Sequence, residues 1–168
     1  MTVGAQTRSA REVVLATFDA VRAHDVDGIV ADAHPEDYLD DFVAVGEFRG
    51  RDAVRGFFRE LFAAVPDFDM TVERVVADES AVAVKWRARG TFTGAPFQGI
   101  LATGRAVEIR GLDFFELDGE VIRRNTIFYD GASFARQIGM LPRKGSRADR
   151  MVLSLFNLRT RVRRLFRR

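Results

Sequence analysis

The stretch SAVAVKWRARGTFTG, residues 80–94, restricts the fold of this chain more than any other, because its side chains alternate with a period of two. Val82, Val84, Trp86, Ala88 and Phe92 fall on one side of an extended chain, and Ala81, Ala83, Lys85, Arg87, Arg89 and Thr91 on the other. Successive side chains of a strand point to opposite faces, so this is a half-buried strand of an antiparallel sheet. AVEIRGLDFFELDGEVIRRNTIFYD (residues 106–130) reads as two more strands joined by a tight turn at Asp118-Gly119, and DMTVERVVAD (residues 69–78) supplies one before them. At least four strands therefore follow one another.

Upstream the period is helical. Ser9-Ala10-Arg11-Glu12 is a capping-box pattern, and Val14, Phe18 and Val21 recur behind it at helical spacing. A shorter helix is expected from about Val26 to Ala33, stopping at His34-Pro35. DDFVAVGEFRG holds a short strand with a turn at Gly46 or Gly50. From Arg51, Val54, Phe57, Phe58, Leu61, Phe62 and Val65 form one wide apolar face, ended by Pro66-Asp67. Helices grouped first and a meander second predict an α+β domain rather than alternating α/β. At 168 residues the chain suits one domain with a core of its own.

The chain has no cysteine, which removes disulfides, thiol nucleophiles and thiolate metal sites and suits a reducing compartment. His24 and His34 are the only histidines, so a histidine-rich metal cluster or a histidine relay is not expected. The segment MTVGAQTRSAREVV lacks the apolar centre of a signal peptide, and no run approaches the roughly 18 apolar residues of a membrane span. A soluble, cytoplasmic protein is the expectation.

Several pieces in order resemble the SnoaL-like polyketide cyclase family of the nuclear transport factor 2-like superfamily. They are HPEDYLDDF, the helix ending AAVPDF, RGTFTGAPFQGILATGRAVEIRGLDFFELDGEVI, and the closing FYDGASFARQIGMLP. The resemblance covers about residues 10–142. It implies a cone: a strongly curved antiparallel sheet covered by N-terminal helices, with a hydrophobic cavity inside. Ketosteroid isomerase, limonene epoxide hydrolase and many proteins that only bind or dimerise share this fold, so the fold alone names no reaction.

In the cyclases the chain resembles, an acid at the end of the last strand is the general acid/base of an intramolecular aldol closure, and Asp130 stands at that position. The reaction removes a proton next to carbonyl groups and spreads the enolate over a conjugated system. It implies no metal and no cofactor, and the substrate is a hydrophobic, carbonyl-rich small molecule such as a polyketide ester. A carboxyl group kept protonated by apolar walls suits that work, and Ile127, Phe128, Tyr129 and Phe114 are walls of the right type. Where the family carries histidines, this chain has Asp41 and Asn125. Asn125 can donate a hydrogen bond to a carbonyl oxygen but cannot shuttle a proton.

Other readings stand beside this one. Asp130 before Gly131 also suits the cap of a helix GASFARQIG. Asp113 falls by strand parity with Ile109, Gly111, Phe115 and Leu117, so it needs a partner or a purpose, and Arg110 and Arg124 are the candidate partners. Trp86, Phe92 and Phe97 line a cavity or form plain core; Tyr38 and Tyr129, the two phenols, bond a ligand or the protein itself. Asp37, Asp40 and Asp41 read as a solvated acidic loop rather than a cation site, and His24 as a solvated helix end. The alternative function is a non-catalytic ligand-binding or dimerisation module, with a homodimer expected in either case. Epoxide or ester hydrolysis in the same cavity is a third reading, and it asks for several convergent polar groups.

The charge is unevenly distributed. Residues 143–168 hold ten Arg or Lys and one acid, Asp149, while the other 142 residues carry 16 basic and 23 acidic side chains. Met151, Leu155, Leu158, Val162 and Leu165 are spaced 4, 3, 4, 3, so residues 143–168 form a basic amphipathic helix appended to the body at 1–142. Such a helix docks on the acidic body, pairs in a dimer, or lies on an anionic membrane surface. Nucleic acid is not expected, since no base-stacking aromatics are interleaved with the arginines.

Overall fold

The computed structural model describes residues 7–165. Helix α1 (Ala10–Arg22) begins at the capping box: the Ser9 hydroxyl accepts from the Glu12 backbone N–H at 3.3 Å, and the Glu12 carboxylate accepts from the Ser9 N–H at 2.8 Å. Its buried face carries Val13, Val14, Phe18 and Val21. Helix α2 (Val26–Ile29) is a single turn, shorter than the helix expected to Ala33. The chain leaves it because strand pairing takes the next backbone groups: Ile122 donates to the Asp32 carbonyl and His34 to the Ile122 carbonyl, both at 2.8 Å.

DDFVAVGEFRG contains two strands, β1 (Leu39–Phe42) and β2 (Gly46–Arg49), where one was expected. Helix α3 (Arg51–Ala64) follows and buries Val54 and Phe57, with Phe58, Leu61 and Phe62 packed beside them. The meander is β3 (Asp69–Ala77), β4 (Ala81–Thr91), β5 (Ala106–Asp118) and β6 (Val121–Tyr129). In β4 the period-two face is the buried one: Val82, Val84, Trp86 and Ala88 are all at most 3% exposed. The β5–β6 turn is Gly119-Glu120, one residue later than expected, with Gly119 at φ +60°. Helices α4 (Gly131–Gln137) and α5 (Arg147–Leu165) complete the chain.

The six strands form one curved sheet in the order β2-β1-β6-β5-β4-β3. All neighbours are antiparallel except β1 and β6, which run parallel with Asp40 opposite Asn125. Bulges between Val72 and Arg74 in the β3–β4 pair and between Glu116 and Leu117 in the β5–β6 pair add local twist that helps the sheet curve. The inner face, with α1, α2 and α3, encloses one core in which Phe42, Phe48, Phe57 and Phe58 meet at ring-centroid distances of 4.2–6.4 Å.

Close backbone approach fixes two glycines. A Cβ at Gly94 would lie 1.9 Å from the Ala63 carbonyl oxygen, where the β4–β5 loop bonds the end of α3. A Cβ at Gly111 would lie 2.2 Å from Trp86 Cζ2, directly across the β4–β5 pair. The indole of Trp86 therefore lies over a strand that has no side chain beneath it.

Helix α5 is not docked on the acidic body. Of residues 147–164, all but Asp149 and Thr160 are exposed. No helix among the described residues is long and apolar enough to cross a membrane.

Trp86 is the only tryptophan, so its emission reports this packing alone. Gly111→Ala should lower stability by about 1–3 kcal/mol through overpacking and shift Trp86 emission to the red. Chemical denaturation followed by fluorescence measures both.

Candidate active site

Three strands bring four polar side chains to one end of an apolar cavity of about 100 Å³. Asp113 comes from β5, Asn125 from β6, Asp40 from β1, and Tyr38 from the residue just before β1. All four are buried, from 2% to 8% exposed. The remaining wall is apolar, with Phe18 and Val21 of α1, Phe57 and Leu61 of α3, and Phe115 and Ile127 of the sheet.

The hydrogen bonds form a chain. Trp86 Nε1 donates to Asp113 Oδ1 at 2.7 Å, and Asn125 Nδ2 donates to Asp113 Oδ2 at 3.3 Å. The Tyr38 hydroxyl donates to Asp40 Oδ1 at 3.0 Å. Asn125 is the register partner of Asp40 across β1 and β6 and also opposes the rise of the Asp40 carboxyl, so its amide stands between the two carboxyl groups. Its Oδ1 is buried without a partner among the protein atoms, which leaves an acceptor for an O–H.

Burial sets the protonation of the pair. Desolvation, and then the neighbouring Asp113, pushes the Asp40 carboxyl up to about 7. Desolvation also pushes Asp113 up to about 7, opposed by the N–H bonds from Trp86 and Asn125. Two carboxyl groups this close titrate as a unit, and the first charge settles where donors already point, on Asp113. Asp40 then keeps its proton. Burial and the adjacent Asp40 hold the Tyr38 phenol well above its usual range, and burial also raises Tyr129, which lines the same cavity.

The candidates from the sequence divide sharply. Trp86, Asp113, Asn125, Tyr38 and Tyr129 all line the cavity. Asp130 does not: it is exposed, and its Oδ1 accepts from the Ser133 N–H at 2.9 Å as the N-cap of α4. A carboxylate five residues after the inward Asn125, at the point where the strand becomes a helix, turns to the orphan N–H groups instead of the cavity. Phe114 and Phe128 are also outside, 40% and 49% exposed, because each is adjacent in a strand to an inward residue and so faces the other way. Arg110 and Arg124 do not reach Asp113: Arg124 pairs with Asp41 at 2.9 Å, and Arg110 approaches Glu108 at 4.0 Å.

Asp40 was missed as a site residue. The acidic triplet reads as one solvated loop, but it separates three ways: Asp37 lies outside near His34 and Arg123, Asp41 pairs with Arg124, and Asp40 is buried. The signal was present in the period-two series Tyr38, Asp40, Phe42, all three of which line the cavity. His24 is likewise no solvated end; its ring stacks on Phe62 at 4.1 Å and its Nε2 lies 2.8 Å from the Phe68 carbonyl oxygen. Among the described residues, no group of three His, Asp or Glu side chains is arranged to hold a metal ion.

A curved α+β sheet covered by helices over an apolar cavity is the nuclear transport factor 2-like fold. The SnoaL-like polyketide cyclase family model matches residues 11–138, and the chain belongs to that family. Among solved structures, a protein of Jannaschia sp. CCS1 assigned as a SnoaL-like polyketide cyclase is 23% identical, with a TM-score of 0.70 over 82% of this chain and all of that one. A SnoaL-like polyketide cyclase of Agrobacterium tumefaciens is 21% identical, with a TM-score of 0.63 over 79% of this chain and 99% of its own. AclR of Streptomyces galilaeus, assigned as a hydroxylase, is 20% identical, with a TM-score of 0.68 over 79% of this chain and 86% of its own. These likenesses establish the fold. No curated protein matches the chain.

The raised carboxyl pair carries a stability signature. Between the unfolded carboxyl value near 3.8 and about 7, the folded chain holds protons that the unfolded chain has released, so stability falls as pH rises through that window. One such carboxyl contributes up to about 4 kcal/mol to that fall. The depressed carboxylates Glu12, Asp67, Glu73 and Asp78 act only at lower pH, where they are protonated. Urea midpoints should therefore fall from pH 5 to pH 8, and Asp113→Asn should flatten that slope. Turning over the Asn125 amide would let its unpartnered Oδ1 accept from the new side chain, so the variant should still fold.

Proposed function

We propose that this chain is a cofactor-independent enzyme that moves a proton at a carbon next to a carbonyl, closing a ring in a polyketide-type ester by an intramolecular aldol reaction. The observation that carries the reading is the buried Asp40–Asp113 pair, raised towards neutrality in an apolar cavity and bridged by Asn125. Asp130 has no part in it.

Asp113 is the base. Its carboxylate takes the acidic C–H proton, and the electron pair left on carbon is delocalised into the adjacent carbonyl as an enolate. Asp40 keeps its own proton and, with the Tyr38 hydroxyl, supplies hydrogen bonds where negative charge develops on oxygen. The enolate carbon attacks the second carbonyl, forming the new C–C bond, and Asp113 returns its proton to the resulting alkoxide. The reaction is an isomerisation, and both carboxyl groups end as they began. A base near 7 suits proton transfer at neutral pH, and the apolar wall folds the chain so that the two carbons meet.

A second reading has one observation in its favour. Trp86, Tyr38, Asp40, Asp113 and Asn125 converge on one end of the cavity, as activation of a water for epoxide or ester hydrolysis would require. Product mass after reaction in ¹⁸O-water separates the two: cyclisation takes up no label at the new bond, and hydrolysis takes up one oxygen.

The deciding experiment is turnover of an aromatic poly-β-keto methyl ester by the full chain and three variants. Asp113→Asn and Asp40→Asn should lose roughly 10²–10⁴-fold in rate with the far-UV circular dichroism spectrum unchanged. Asp130→Asn should stay within a few-fold of the parent while losing about 1 kcal/mol of stability with its helix cap. Full activity in Asp113→Asn, or abolition in a folded Asp130→Asn, would refute the assignment. Binding without turnover in every form would leave a ligand-binding module.

A further inference from the structure

Helix α5 lies outside the matched family region, which ends at residue 138, and the cavity chemistry makes no use of it. Met151, Val152, Leu155, Phe156, Leu158 and Val162 are between 43% and 66% exposed along its length. A monomer surface rarely presents so continuous an apolar stripe without a partner, and an isolated helix of this length is marginal in water. Its start is well specified: the Ser146 hydroxyl accepts from the Asp149 N–H at 3.1 Å, and the Asp149 carboxylate accepts from the Gly145 N–H at 2.8 Å. The one acid of the helix is thus spent at the N-terminus.

We propose that α5 is an interfacial helix that binds this protein to an anionic lipid surface. Arg147, Arg150, Arg159, Arg161, Arg163 and Arg164 surround the stripe, and none of the ion pairs among the described residues includes any of them. At 3.6 residues per turn, Arg147 and Arg161 fall beside Leu158 at one edge of the apolar arc, and Arg159 and Arg163 stand on the side of Val152 and Phe156, about two turns further along. Long arginine side chains bend their charged ends to lipid phosphates while Leu and Phe enter the acyl boundary, the arrangement of a helix lying in the interface plane. The helix is about 28 Å long, and its arginines exclude it from spanning.

Charge favours lipid over a second copy of the chain. The carboxylates on the outer sheet face already have cations: Glu73 pairs with Lys85 and Arg87, Asp69 with Arg89, and Asp41 and Glu116 with Arg124. Docking α5 there would set arginine against arginine. An anionic bilayer offers phosphates with no competing cationic side chains, and an apolar layer directly beneath them.

The test is sedimentation of the full chain with sucrose-loaded vesicles of phosphatidylcholine alone, or with 30% phosphatidylserine. The protein should sediment with the anionic vesicles, remain in solution with the neutral ones, and be released by salt. Leu155→Asp with Leu158→Asp should weaken binding at least about 10-fold, and Arg159→Gln, Arg161→Gln and Arg163→Gln together on the order of 100-fold. Unchanged Trp86 emission and urea midpoint in both variants show that the body is intact. Failure of the parent to sediment with anionic vesicles overturns the proposal. So does retained binding in the leucine double variant, which would mean charge attraction without insertion. A dimer in lipid-free solution that this double variant dissolves would assign the stripe to a second copy, and equal affinity for a DNA duplex would assign the arginines to nucleic acid.

Discussion

A carboxyl group removed from water must find hydrogen-bond donors or give up its charge, and the centre of this protein answers in both ways at once. Asp113 receives the N–H groups of Trp86 and Asn125 and can hold a negative charge. Asp40, beside it and bonded by one phenol, keeps a proton because a second charge there would be neither solvated nor compensated. This division depends on packing that has nothing polar in it. Trp86 reaches Asp113 only because Gly111 leaves the strand beneath the indole bare.

Strand pairing explains how the acids meet. The antiparallel meander alone brings Asp113, Asn125 and Trp86 onto one face, since β4, β5 and β6 are consecutive neighbours. Asp40 arrives differently, on a four-residue strand that runs parallel to β6 and is delivered by the chain between α2 and α3. That parallel pair turns a closed, inert buried acid into a coupled pair. It also places Asp41, one residue on, against Arg124 on the opposite face. The Asn125 amide between the carboxyls donates a hydrogen bond and cannot shuttle a proton.

Much of this was readable in residue order. The period of two in residues 80–94 identified the buried face of β4 down to Trp86, and the parity of Asp113 with Phe115 and Leu117 placed it in the core. The capping box at Ser9 and the apolar face of α3 were equally plain, because both are local interactions within one turn or a few. Asp130 misled for the same reason that it is conspicuous: an acid after an apolar strand suits both a pocket mouth and a helix cap. The choice rests on the direction of the backbone as it leaves β6. The partners of Asp113 were mistaken too, since arginines next to it in strand order lie on the outer face.

The sequence by itself determined the long helices and strands, their order, the inner face of each long strand and the amphipathic character of residues 147–165, because each follows from the spacing of side chains along one segment. Tertiary structure alone decided which acids stand in the cavity. Asp40 and Asp113 meet through the parallel pairing of β1 with β6, a contact between segments more than eighty residues apart. No periodicity within a segment records such pairing. Their proton sharing comes from common burial, which belongs to the folded chain and to no single residue.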